Sequence, residues 1–279
     1  MLQCLYNAAS GLSSQQKNVD VIANNVANVG TDGYKKTRLD FQDCLYRQLR
    51  APHPASNGPE KNLRGGTGAI EYQTARILLQ GPLAATGRLL DFAIDGKGFF
   101  VLENPHADDP AYGEYDDDVD RSVLYTRAGS FFVSPEGDED EQSYYLVDSL
   151  GRYLLDEDGQ RIALTDGVVP QCSTDGVLTY YDEYGEATVL ARLQIAYFTN
   201  PGGLANAGGG AYIATENCGE AAEPGTYVSY VLQGYTESSN VDLSEELTRL
   251  IRSQRVYQLA SRCVSTADQM MGLANSIRR

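Results

Sequence analysis

Residues 2–30 read LQCLYNAASGLSSQQKNVDVIANNVANVG. Leu2, Leu5, Ala9, Leu12, Val19, Ala23 and Val26 recur there on a 3–4 step, broken only at Gln16. That step draws a narrow apolar seam along one side of an α-helix. Gly30, Thr31, Asp32 and Gly33 then supply a stop, so the spacing predicts a helix from near Leu2 to about Val29. Its length is about 42 Å at 1.5 Å per residue. The other end of the chain repeats the device. Val256, Ala260, Cys263, Ala267, Met270, Ala274 and Ile277 keep the same step. Asp242 followed by Glu245 forms a capping-box pattern, which starts the last helix near residues 240–242. Two such seams can pair with each other or with other copies of the chain. Ends built as interaction surfaces point to assembly rather than catalysis.

Between the helices the signals are β, from about residue 69 to residue 231. Phe99 to Leu102, Ser130 to Val133, Tyr144 to Val147, Val177 to Tyr181 and Leu193 to Phe198 are short apolar or aromatic runs. Asp95-Gly96, Glu136-Gly137, Asp158-Gly159, Asp166-Gly167 and Asp175-Gly176 punctuate them as turns. Short strands at such spacing predict an antiparallel barrel or sandwich. The fold class is therefore α+β: long N- and C-terminal helices packing as a coiled-coil-like pair, with a central antiparallel β-rich domain. The expected divisions are an assembly helix over 1–33, a linker over 34–69, the β-rich domain over 70–237 and a second assembly helix over 238–279. In the linker, Phe41, Leu45 and Leu49 step by four, as a short helix would. Residues 51–68 carry Pro52, Pro54, Pro59 and four glycines, which predicts an extended segment and not a packed element.

Composition removes several classes. A net charge of −16 repels phosphates and argues against nucleic acid binding. No run of about 20 apolar residues is present, so no membrane span is expected. A basic stretch followed by an apolar core is missing from the N-terminus, so no cleavable secretory signal is expected. Cys4, Cys44, Cys172, Cys218 and Cys263 are scattered and odd in number, which argues against a disulfide framework or a zinc site. Cys4 and Cys263, on or near the stripes, read as small apolar filler.

Candidate chemistry is thin. Asp116, Asp118 and Asp120 alternate like the start of a calcium loop, but Arg121 stands where glycine is needed and no closing Glu follows. The run from Asp138 to Glu141 fails the same pattern. His53 and His106 lie near prolines without a Cys or carboxylate constellation, so neither a catalytic base nor a metal site is expected. Gly96-Lys97-Gly98 is too short for a dinucleotide loop. No catalytic residue, metal or cofactor is assigned.

Several stretches, in order, resemble the rod and hook proteins of the bacterial flagellum. They are Ala23-Asn24-Asn25-Val26-Ala27-Asn28-Val29 with Thr31-Asp32-Gly33-Tyr34-Lys35, then Gln80-Gly81, then Leu90 through Phe100. Tyr125-Thr126-Arg127-Ala128-Gly129-Ser130-Phe131 follows, then Ser238-Ser239-Asn240-Val241, Glu245-Glu246-Leu247, Gln254-Arg255 and Thr266 through Met270. The short chain, the 51–68 segment and Gly66-Thr67-Gly68 are most similar to the family's distal-rod group. The proximal rod and hook groups are the alternatives, and a calcium-binding β domain with helical dimerisation arms is a reading of another class. Pro82 departs from the Asn common after Gln-Gly in the family.

The resemblance implies a structural subunit of a helical homopolymer in the basal body, joined to other rod and hook proteins. It also implies passage through the flagellar type III export apparatus without cleavage. Leu5, Leu12, Val19, Asn24, Asn25, Val26 and Asn28 are the expected contact residues on the first helix. Leu250, Gln254, Arg255, Tyr257, Ala260, Ala267 and Met270 are those on the last. Phe41-x-x-x-Leu45 resembles the family's export motif, and an amphipathic turn is the alternative reading of it.

Overall fold

A computed structural model describes residues 2–50, 63–105, 122–136, 143–164, 170–181, 187–222 and 229–277. The chain divides into two compact units. One comprises residues 1–27, 36–77 and 241–279; the other comprises residues 28–35 and 78–240.

The first unit is built on two helices, α1 (Leu2–Ala27) and α2 (Leu243–Ile277). Helix α1 stops two residues before the predicted end, and residues 28–30 form a turn. Asp242 caps α2: its Oδ1 accepts the N–H groups of Ser244 at 2.8 Å and Glu245 at 3.2 Å. The Glu245 carboxylate faces Lys36 at 2.9 Å and Arg249 at 2.7 Å. Asn25 reaches Glu246, and Gln15 and Asn18 both donate to Ser253, so the helices run antiparallel. A two-stranded antiparallel ladder, Thr37–Asp43 against Ala69–Arg76, flanks α1 with an irregularity at Asp40/Phe41. Arg47–Arg50 pairs with Leu63–Gly65.

Two expectations are corrected here. The helix allowed by Phe41, Leu45 and Leu49 does not form. Residues 37–43 are extended because each has a ladder partner, from Thr37↔Arg76 to Asp43↔Ala69. Nor is the end of the 51–68 segment unpacked: Leu63–Gly65 is a strand, and residues 51–62 lie outside the described residues.

Among the described residues the strand pairs of the second unit are all antiparallel, with 3₁₀ turns at Pro201–Gly203 and Glu216–Cys218. The largest sheet described has nine strands, with Phe99–Glu103 paired to Val123–Thr126 and to Tyr153–Leu154. The Asp95-Gly96 pair is not a hairpin turn. Phe92–Asp95 before it pairs with Tyr230–Gln233, whereas Phe99–Glu103 after it enters the large sheet. Gly96 and Gly98 have φ of +121° and +119°, which lets the chain change sheets within three residues. The core is Phe92, Ile94, Phe100, Leu102, Phe131, Leu146, Leu154 and Leu178, all fully buried. Phe100 and Phe131 meet edge to face at 5.6 Å.

Candidate assembly surfaces and the buried charge clusters

Three of the motif stretches meet at one carboxylate in the second unit. Glu237 is buried. Its Oε1 takes the Lys35 ammonium and the Gly81 N–H, the latter at 2.7 Å. Its Oε2 takes Arg127 Nη1 at 3.0 Å, and its backbone carbonyl accepts the Gly33 N–H at 2.6 Å. Lys35 also donates to the Leu79 carbonyl at 2.9 Å, and Arg127 donates to the Gly96 carbonyl at 2.6 Å. Arg127 lies over the Phe99 ring at 5.6 Å. Two cations therefore share one carboxylate away from water. Burial lowers the Lys35 pKa from its ordinary value; Glu237 opposes the shift and Arg127 adds to it.

The glycines of those stretches fit the same knot. Gly33 has φ +69°, and a Cβ there would stand 2.5 Å from the Ala128 nitrogen. A Cβ on Gly81 would run into the Ser238 carbonyl, and one on Gly129 into the Phe92 carbonyl.

A second polar cluster holds the first unit. Asn25 is buried; it donates to the Thr37 carbonyl at 2.7 Å and to Glu246 Oε2 at 3.1 Å, and accepts the Thr37 N–H at 3.0 Å. Lys36 Nζ lies 2.8 Å from Glu246 and 2.9 Å from Glu245, which raises its pKa against the burial that would lower it. The Ser14 hydroxyl lies 2.8 Å from the Ser10 carbonyl and 3.1 Å from the Ala69 carbonyl, sharing its one proton between them. Gln3 and Asn7 donate to the Gly66 carbonyl at 3.1 and 3.0 Å, and a Cβ on Gly68 would strike Ser10. The Gly66-Thr67-Gly68 stretch is thus a backbone rest for the start of α1.

These bonds settle which side of α1 faces inward. Leu5 and Asn7, Leu12 and Ser14, and Ala23 and Asn25 are each two residues apart, about 200° around a helix. The polar members pack inward. Leu5, Leu12, Val19 and Val26 are half-buried, Asn28 likewise, and Ala9, Ala23 and Asn24 are exposed. On α2 the inner row is Glu246, Ser253, Ala260, Val264, Ala267 and Met271. It shares Ala260 and Ala267 with the predicted seam, and Val256 and Cys263 flank it on the edges of grooves that α1 also lines. Val256, Cys263, Met270 and Ile277 are exposed, as are Gln254, Arg255 and Tyr257; Leu250 is half-buried. Cys4 and Cys263 are exposed and not core filler. Leu243, Leu247, Ile251, Leu259 and Leu273 are outward aliphatic residues that the heptad reading missed; the i, i+4 steps of Leu243, Leu247 and Ile251 could have shown the first three. Phe41 and Leu45 are both outward-facing, Leu45 at 91% exposure.

The model of the flagella basal body rod protein family matches residues 5–35, and that of the flagellar basal body rod FlgEFG protein C-terminal region matches residues 232–277. The flagellar basal-body rod protein FlgG of Borreliella burgdorferi is 34% identical over 286 residues, covering all of both chains. That of Caulobacter vibrioides is 34% identical over 99% of this chain and all of its own length. That of Bacillus subtilis is 31% identical over the full length of both. This chain belongs to the flagellar basal-body rod protein family.

As a rod-family member it is a structural subunit of the flagellar distal rod and not an enzyme. Membership of the family places it in the basal-body rod and implies assembly with other rod and hook subunits. Among the described residues no group of three His, Cys, Asp or Glu could hold a metal ion, and no helix is long and apolar enough to cross a membrane. Burial pushes the Cys172 thiol up to about 12, so it stays protonated. His53, His106 and both acidic runs weighed as calcium loops lie outside the described residues.

Proposed function

We propose that the chain polymerises with copies of itself through the outer sides of α1 and α2, forming the helical drive shaft that carries motor torque to the hook. The supporting observation is the outward row Leu243, Leu247, Ile251 and Leu259, each 43–59% exposed, on a helix whose inner row already serves α1. Covering such side chains yields about 25 cal/mol per Å² of apolar surface. Leu5, Leu12, Val19, Asn24 and Val26 extend the surface on α1, and Asn28 lies in the turn that follows it. Leu250, Gln254, Arg255, Tyr257 and Met270 extend it on α2. Asn25, Ala260 and Ala267 are engaged within the chain's own helix pair and are left out of it.

The test is the Leu247→Asp, Ile251→Asp double variant of the full chain, followed by sedimentation, electron microscopy and circular dichroism. The expected result is a monomer of parental helix content that does not elongate. Rods formed at the parental rate defeat the proposal.

Export through the flagellar type III apparatus without cleavage is part of the same reading and rests on family membership. The outward Phe41 and Leu45 on extended chain suit a motif read by a receptor. Phe41→Ala with Leu45→Ala should lower secretion without changing the size of the secreted protein. Unchanged secretion removes the motif, and a shortened secreted form removes the uncleaved route.

A further inference from the structure

The net charge of −16 is divided unevenly. The first unit carries 14 Lys and Arg against 9 Asp and Glu; the second carries 8 against 29. Counted over the described residues alone, the helical unit is basic, at 11 against 8, and the β unit acidic, at 7 against 13. On α2 the contrast is local. From Leu247 to Ala267 the helix holds four arginines and no Asp or Glu. Arg249 is bound by Glu245 and Glu246. Arg252, Arg255 and Arg262 are exposed and make no ion pair among the described residues. Arg255 and Arg262 line a groove of about 460 Å³ with Gln254, Gln258, Ile251 and Leu259. In the second unit Asp95, Glu157, Asp158, Asp175, Glu216 and Glu220 are exposed.

We propose that the arginine face of α2 binds the acidic β unit of a second copy of this chain. Two acidic units set side by side repel. A basic unit set against an acidic one attracts, and the attraction guides the encounter. The two surfaces differ, so the contact is heterologous: each copy offers one half of it to the copy before and the other half to the copy after. A contact of that kind does not close on itself unless its rotation happens to form a ring, and it propagates as an open helix. The inference rests on the polymer reading above and adds to it a polarity, a partner surface and a dependence on salt.

The experiment uses the full chain and its Arg252→Glu, Arg255→Glu, Arg262→Glu variant, with the Arg→Gln triple as a milder companion. Association is followed by sedimentation from low salt to about 0.5 M, where the screening length falls well below 10 Å. The parent should associate less as salt rises. The Glu triple should associate roughly tenfold more weakly at low salt and lose most of the salt response. It keeps its acidic unit, so at a small mole fraction it should add to parental rods and stop their growth. Parental association that strengthens with salt, or a Glu triple that elongates like the parent, overturns the inference. Either result leaves the apolar reading standing if Leu247→Asp, Ile251→Asp still blocks elongation. If that variant also elongates, the polymer reading itself has failed.

Discussion

Arg127 Nη1 lies 3.0 Å from Glu237 Oε2, with both side chains withdrawn from solvent. The same carboxylate also serves Lys35 and the Gly81 N–H. Removing its charge would leave two buried cations without a counterion. We expect Glu237→Gln to destabilise the second unit by about 3–5 kcal/mol. Thermal unfolding followed by near-ultraviolet circular dichroism, where the buried tyrosines report, checks this. A change below about 1 kcal/mol would show that water or relaxation meets both cations.

Lys35 and Lys36 are adjacent in sequence and shifted in opposite directions. A lysine whose folded pKa lies below its ordinary 10.5 binds its proton more weakly when folded than when unfolded. Its penalty on stability is present at neutral pH and is relieved as pH climbs through the folded value towards 10.5. Lys36, raised, contributes stability that is present below 10.5 and is lost only as pH passes its folded value. Across the alkaline window that ends at 10.5 the parent should therefore gain stability relative to Lys35→Met, which lacks the titration. Parallel denaturation curves for the two proteins across that window would refute the assignment.

Glycine substitutions should separate crowding from mere flexibility. Gly129→Ala puts a methyl group into the Phe92 carbonyl, both of them backbone, so the sheet must shift; a loss of about 3 kcal/mol is expected. Gly30→Ala meets nothing within 4 Å and its φ is not positive, so it should be neutral or gain about 0.5 kcal/mol. Chemical denaturation of the two variants side by side measures the contrast.

Ala267 and Met270 sit less than one turn apart on α2 and should fail differently. Ala267 is 1% exposed inside the helix pair, and Met270 is 46% exposed. Ala267→Asp buries an unpaired carboxylate and should loosen the pair in the free subunit, at about 2–4 kcal/mol. Met270→Asp should leave the free subunit as it was and appear only in elongation. Helix melting of the monomers and rod growth, measured on both variants, give the two readouts.

Losing Asn25 should cost the first unit more than any single apolar residue on the outer side of α1. Asn25→Ala leaves the Thr37 N–H and carbonyl and one Glu246 oxygen without that partner, an expected loss of about 2–3 kcal/mol. Leu12→Ala, half-buried, should cost about 1 kcal/mol. The order of the two midpoints in urea decides it.

What the sequence made legible was what depends on near neighbours. The helices followed from their apolar steps, and the cap from Asp242. The strands at Phe99, Tyr144 and Val177 followed from short apolar runs between turn residues. The inner side of α1 was not legible, because periodicity assumes that apolar residues face inward. Here Asn7, Ser14, Asn18 and Asn25 do so, each matched to a hydrogen-bonding partner on the ladder, on the Gly66 loop or on α2. Extension of residues 37–43 was hidden for a related reason: its cause is a partner strand about thirty residues on, and nothing in the stretch itself announces it. The Glu237 cluster was invisible as chemistry, since its cations lie 202 and 110 residues away.

That separation sets a clock. During synthesis Lys35 and Arg127 emerge long before the carboxylate that neutralises them, and the 230–233 strand that covers Phe92–Asp95 is late as well. The second unit therefore cannot close until Glu237 has been made, and contacts so distant in sequence form slowly even then. A growing chain of this kind stays open while the two hundred or so residues after Lys35 are added, and closes only as α2 begins to emerge.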